Sequence, residues 1–201
     1  MSLYTIFLFV HVTGAIGYSA GTLISVLGLS SLRRARRVEQ VRSLLELLEL
    51  TGLVSGISLL LTTIAGLYMA GTTWGWQTGW IDVALGSLVL LLAMGVLMGR
   101  RRHVIAMLAK EMPDGPLPAF LEQRIHDPCM ALGVYMLVTL VLGIVFLMTV
   151  KPAPGSSLLV IGVSVLLGVA LSLPGWPGAQ RSVVRIKGAS PMKGGDNVRT
   201  S

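Results

Sequence analysis

A histidine sits inside an apolar run at Phe7-Leu-Phe-Val-His-Val-Thr-Gly-Ala-Ile-Gly-Tyr-Ser-Ala-Gly21. An imidazole in such a run needs a partner, and an ionisable residue within a membrane span is a candidate for function. Three chemistries suit His11. It can be held neutral by one hydrogen bond, with Thr62, Thr63 or Thr139 as partner on another span. It can ligate haem or a metal. It can pass a proton. If it ligates haem b, the second axial ligand must lie at similar depth, and methionine can serve. Met69 and Met148 fall near the ends of their spans on that side. His103 and His126 fall in the segments expected across the membrane, roughly 20–30 Å away. Asp82 either pairs with His11 or marks a helix N-terminus, where negative charge is favoured. Ten methionines also invite a copper reading, because thioethers suit Cu(I), although no Met-x-x-Met cluster lies within a span. The lone Cys129 excludes an internal disulfide and a cysteine metal cluster. There is no nucleophile–base constellation, phosphate loop or zinc signature, which disfavours hydrolase and kinase chemistry of the soluble type.

These residues must be positioned by membrane helices. Hydrophobic residues make up 53% of the 201 positions, charged residues only 12%, and the mean hydropathy is +0.78. Soluble domains carry about twice that charge. The fold class expected is all-α, a polytopic transmembrane bundle. Its five spans run approximately over 3–29, 50–70, 81–99, 129–150 and 156–173, each near the roughly 20 apolar residues a bilayer requires. The first run lacks a basic leader and continues to about Leu32, so it reads as a retained span and not a cleaved signal peptide. Residues 1–173 form the bundle. Residues 174–201, Gly-, Pro- and Ser-rich with scattered cations, form a basic, disordered tail.

The net charge of +7 reflects topology, and no nucleic-acid partner is expected. Arg33, Arg34, Arg36, Arg37 and Arg42 follow the first span, and Arg100, Arg101, Arg102, Lys110 and Arg124 follow the third. Arg181, Arg185, Lys187, Lys193 and Arg199 follow the fifth, whereas only Lys151 follows the fourth and nothing basic separates the second from the third. The alternation predicts an outside N-terminus and a cytoplasmic C-terminus, in the multi-pass manner of a bacterial inner-membrane protein. Tyr4, Tyr68, Trp74, Trp76 and Trp80 cluster at the outer interface and Trp176 at the inner one, as interfacial aromatics do. Residues 38–50 read as an amphipathic extension of the second helix. Arg100 to Met112 can continue the third, and a short helix is expected over 117–127, after the Pro113-Asp-Gly-Pro116 turn.

On a helical wheel His11, Gly14, Tyr18, Gly21, Ser25 and Gly28 share one side, and Gly17 with Gly21 makes a GxxxG pair. Gly14, Gly17, Gly21 and Ser25 are therefore expected to pack against another helix. This segment, the arginine-rich first loop and Thr62-Thr-Ile-Ala-Gly-Leu-Tyr-Met69 together resemble a family of bacterial integral membrane proteins of unknown function. That family is similar to copper-resistance D-type membrane proteins and to J-type protoporphyrinogen oxidases. The resemblance covers residues 3 to about 150. His11, Gly14 and Gly21 are its matching positions, while Tyr18 stands where tryptophan would be expected. It implies a porphyrin or copper connection. The leading expectation is a haem-associated membrane protein with His11 as axial ligand. The alternatives are a copper or small-solute transporter and a structural subunit of a membrane complex. The expected surroundings are the lipid bilayer, with a partner membrane protein or a second copy of the chain.

Overall fold

The computed structural model describes residues 2–75 and 79–173. Trp76, Trp176 and the basic tail lie outside the described residues. The regular structure among the described residues is all helical: α1 (Leu3–Leu32), α2 (Val38–Met69) running into a π-helical turn (Ala70–Trp74), α3 (Gly79–Lys110), α4 (Ala119–Ile125), α5 (Pro128–Val150) and α6 (Pro154–Ser172). Among the described residues five helices are long and apolar enough to cross a membrane, and the protein is accordingly a multi-pass membrane protein. The 30 residues of α1 extend about 45 Å, well beyond a hydrocarbon layer of about 30 Å. α2 and α3, with 32 residues each, also overshoot it. As expected, residues 38–50 are a continuation of α2 and residues 100–110 of α3. α4 is shorter than the expected 117–127.

Local chemistry sets the helix ends. Ser2 caps α1 by accepting the Thr5 N–H at 3.3 Å. Asp127 caps α5 by accepting the Cys129 N–H at 2.9 Å, and Pro128 fills the first turn, where its missing donor is not needed. Lys151 ends α5 in the left-handed region at φ 51°, and Pro154 opens α6 two residues after Pro152.

The bundle's outer surface is apolar and its interior carries small and hydroxylated residues, as lipid solvation requires. Phe9, Ile16, Leu60, Leu142 and Leu159 are exposed, while Thr22, Ser25, Ser87, Thr139, Ser157, Ser164 and Ser172 are buried. Each of these hydroxyls donates to a carbonyl three or four residues back on its own helix. They thus pack as small residues with no unmet polar group. α5 is central, burying Met130, Val134, Leu137, Leu140 and Leu147.

The small-residue face of α1 meets α2. A Cβ on Gly14 would overlap Thr62 Oγ1 and stand 2.7 Å from the Ser58 carbonyl oxygen. On Gly17 it would stand 2.6 Å from Ser58 Oγ, on Gly28 2.5 Å from Leu48 Cδ2, and on Gly21 it would overlap Ser55 Oγ. At the arginine-rich end the two connecting segments are stapled. Val38 N–H donates to the Gly115 carbonyl at 3.0 Å and Leu117 N–H to the Arg36 carbonyl at 2.9 Å. Arg42 donates to the carbonyl of Ala109 in the last turn of α3 and to that of Met112 just beyond it, and pairs with Asp114 at 3.0 Å. The amphipathic start of α2 therefore serves as a brace for the end of α3.

These contacts predict opposite signs for two alanine substitutions. Gly14→Ala should destabilise by about 1–3 kcal/mol, because its methyl meets backbone. Gly86→Ala, whose Cβ meets nothing within 4 Å, should gain about 0.5–1 kcal/mol from helix propensity. Thermal denaturation of both variants in one detergent checks the pair.

Candidate functional site

His11 leans from α1 onto α2. Its Nδ1 donates to the main-chain carbonyl of Thr62 at 2.8 Å, and the Thr62 hydroxyl donates back to the His11 carbonyl at 3.3 Å. One turn further along α2, Gly66 makes room for the ring: a Cβ there would stand 3.0 Å from Cε1 and 3.1 Å from Nδ1. Thr62 and Gly66 thus form the seat, and the close approach through Gly14 brings the ring within reach of it. A carbonyl only accepts, so the proton is on Nδ1, and in the neutral ring Nε2 keeps a free lone pair. Among the described residues, Nε2 has no hydrogen-bond partner. Thr62 is therefore the partner of His11, through its main-chain oxygen. Thr63 and Thr139 spend their hydroxyls on their own helices.

His11 lines a cavity of about 330 Å³ whose walls come from α1, α2, α3 and α5. Met69 from α2 and Met148 from α5 line the same cavity, with Thr63, Ala84 and Leu88. The residues expected at one depth are brought around one space. Leu8 and Leu67 line it and are also exposed on the bundle surface, so the cavity reaches the lipid-facing side. Trp80 and Lys151 stand at its rim, with Lys151 Nζ 6.0 Å from the Trp80 ring centroid. Phe7 and Tyr68 stack beside it at 3.9 Å between centroids.

Asp82 is exposed in the first turn of α3 and does not line the cavity. It takes the helix-terminus role. His103 and His126 are far from His11. The first faces Glu49 at 3.6 Å, and the second bonds the Glu122 carbonyl at 2.9 Å in the short α4. No group of three or more His, Cys, Asp or Glu residues able to hold a metal occurs among the described residues.

Two contributors escaped the sequence reading. Gly66 stands four residues after Thr62, a spacing that stacks it on the same helix face, and that spacing was the available signal. Arg102, counted with the topology-setting arginines, turns into the bundle and donates to Ser25 Oγ at 3.3 Å. Its signal is the stripe Leu91, Met98 and Arg102, which continues the buried face of α3.

The His11 seat predicts a fixed tautomer. Nitrogen NMR of histidine-labelled protein in a His126→Gln background should show a resonance pair with a protonated Nδ1 and a bare Nε2, lost when His11→Gln is added. Gly66→Leu should abolish that tautomer preference by displacing the ring. No protein-family model, curated protein or solved structure matches this chain.

Proposed function

We propose that this chain is a haem-associated protein of the bacterial cytoplasmic membrane and that His11 supplies an axial ligand through Nε2. The observation that carries the reading is the hydrogen bond from His11 Nδ1 to the Thr62 carbonyl at 2.8 Å. Metal-ligating histidines use their second nitrogen in this way, since a carbonyl acceptor fixes the tautomer and raises the basicity of the ligating nitrogen. The donor set fits: an anchored imidazole, with the thioethers of Met69 and Met148 lining the same cavity. Lys151 at the rim suits the carboxylates of a haem. The cavity, of about 330 Å³, is at the small end of ligand pockets, which run from about 300 to 1,000 Å³. Bound there, haem would supply a one-electron redox centre.

A second reading is Cu(I) binding, favoured by the gathering of two thioethers and one imidazole around one space, a soft donor set. One preparation separates the two. The full chain, expressed in a bacterial host and purified in mild detergent, should carry a Soret band. His11→Ala should abolish it, whereas His103→Ala and His126→Ala should leave it intact. Gly66→Leu should weaken retention by about 10- to 100-fold, the usual effect of losing such a supporting contact. Copper without porphyrin would favour the second reading, and a Soret band indifferent to His11→Ala would end the first.

The arginine distribution supports an outside N-terminus, which places the His11 cavity on the outer side. In a Cys129→Ser background, Thr72→Cys should react with an impermeant thiol reagent in intact cells. Arg36→Cys should react only after permeabilisation.

A further inference from the structure

A second cavity, of about 430 Å³, lies between α1, α2 and α3 at the arginine-rich end. Gly52 and Gly56 of α2 and Gly95 and Gly99 of α3 line it. A Cβ on any of the four would meet nothing within 4 Å. They differ in this from the α1 glycines, each of which is in contact with α2. Close helix packing explains the α1 set but not these, whose effect is to keep a slot open. Leu92 and Val96 line the slot and are exposed, so it opens sideways toward lipid.

Arg102 occupies the slot's basic end. It is half-buried, and its one hydrogen bond among the described residues is the 3.3 Å contact from Nη1 to Ser25 Oγ. No carboxylate pairs with it among the described residues. A guanidinium has five donors, and an unpaired cation inside a helical bundle is costly without an anion. Glu49, at the rim, faces His103 at 3.6 Å. Tyr18 lines the slot further in, with no hydrogen bond to its hydroxyl among the described residues.

Depth identifies what this cation meets. Counting about 30 Å of hydrocarbon from Leu3 at 1.5 Å per residue puts the far boundary roughly 20 residues on, near Leu23. Ser25, and with it Arg102, is then at the level of lipid headgroups. Basic pockets between membrane helices at that level are suited to phosphate headgroups.

We propose that this slot binds one phospholipid, with its phosphodiester on Arg102 and an acyl chain between the glycine-bearing faces of α2 and α3. The site is independent of the His11 cavity. Its test is native mass spectrometry of the full chain released from mild detergent after reconstitution in vesicles containing anionic phospholipid. One phospholipid should stay bound per chain. Arg102→Gln should lower retention roughly ten- to a hundredfold, as loss of charge-assisted hydrogen bonds does. Gly56→Leu, whose side chain enters open space, should lower it as well while leaving Arg102 in place and the helical circular dichroism unchanged. Arg100→Gln and Arg124→Gln, on the exposed surface, should retain the lipid. Equal retention in wild type and Gly56→Leu, or in wild type and a folded Arg102→Gln, overturns the proposal. So does complete displacement by inorganic phosphate alone, which would make the ligand a soluble anion.

Discussion

The close approach of α1 to α2 is the constraint from which both cavities follow. Gly14, Gly17, Gly21 and Gly28 let the two backbones come near enough that an added methyl would meet the other helix. At that separation an imidazole on one helix reaches a main-chain carbonyl on the other. In lipid there is no hydrophobic force to hold helices together, so packing area and hydrogen bonds must do it. α1 and α2 obtain packing along their length and hydrogen bonds where His11 meets Thr62. α2 and α3 do not: the glycines between them face open space, and two hollows remain, one toward each end. The stapled connections at the arginine-rich end hold α2 beside α3 by hydrogen bonds and ion pairs outside the apolar layer. The pair stays splayed within it.

Much of this architecture was legible in the sequence because lipid is a demanding solvent. A span must be apolar over a set length and must satisfy its own backbone. Hydropathy therefore located the five spanning helices, and helical periodicity pointed to the face of α1 that meets α2. His11, Met69 and Met148 were placed at one depth by counting residues along spans, and they line one cavity. Thr62 was legible as a partner by residue type and depth, but the atom used is its carbonyl, and every residue has a carbonyl.

What was not legible has equally physical causes. Arg102 follows Arg100 and Arg101 in sequence, and a cluster of cations after an apolar run reads as a topology signal. Which of the three turns inward depends on the rotation of α3 about its axis, in which Met98 packs over Gly133 of α5. The glycines of α2 and α3 were silent for a related reason. Spacing of four residues places two glycines on one face whether that face meets a helix or a void. The difference lies in the partner, and the partner is fixed by how α5 and the connecting segments seat α3.

The treatment of hydroxyl groups gives the exceptions their weight. Thr22, Ser87, Thr139, Ser157, Ser164 and Ser172 each close a hydrogen bond within their own helix. Ser25 does so too, while also accepting from Arg102. A chain that satisfies its interior polar groups so locally does not need its neighbours for that purpose. Against that background, His11 and Arg102 each send a side chain from one spanning helix to another and line a cavity. Each makes one hydrogen bond there and leaves polar capacity turned toward a cavity. A free imidazole nitrogen on a residue that lines one cavity with two methionines suits a soft or porphyrin-bound metal. A guanidinium with open donors suits a phosphate. The two ends of one bundle thus present opposite chemistries, an electron-pair donor at one and a hydrogen-bond donor at the other. The α1–α2 hairpin contributes walls to both cavities, so a substitution that loosened its glycine contacts would disturb both ends together.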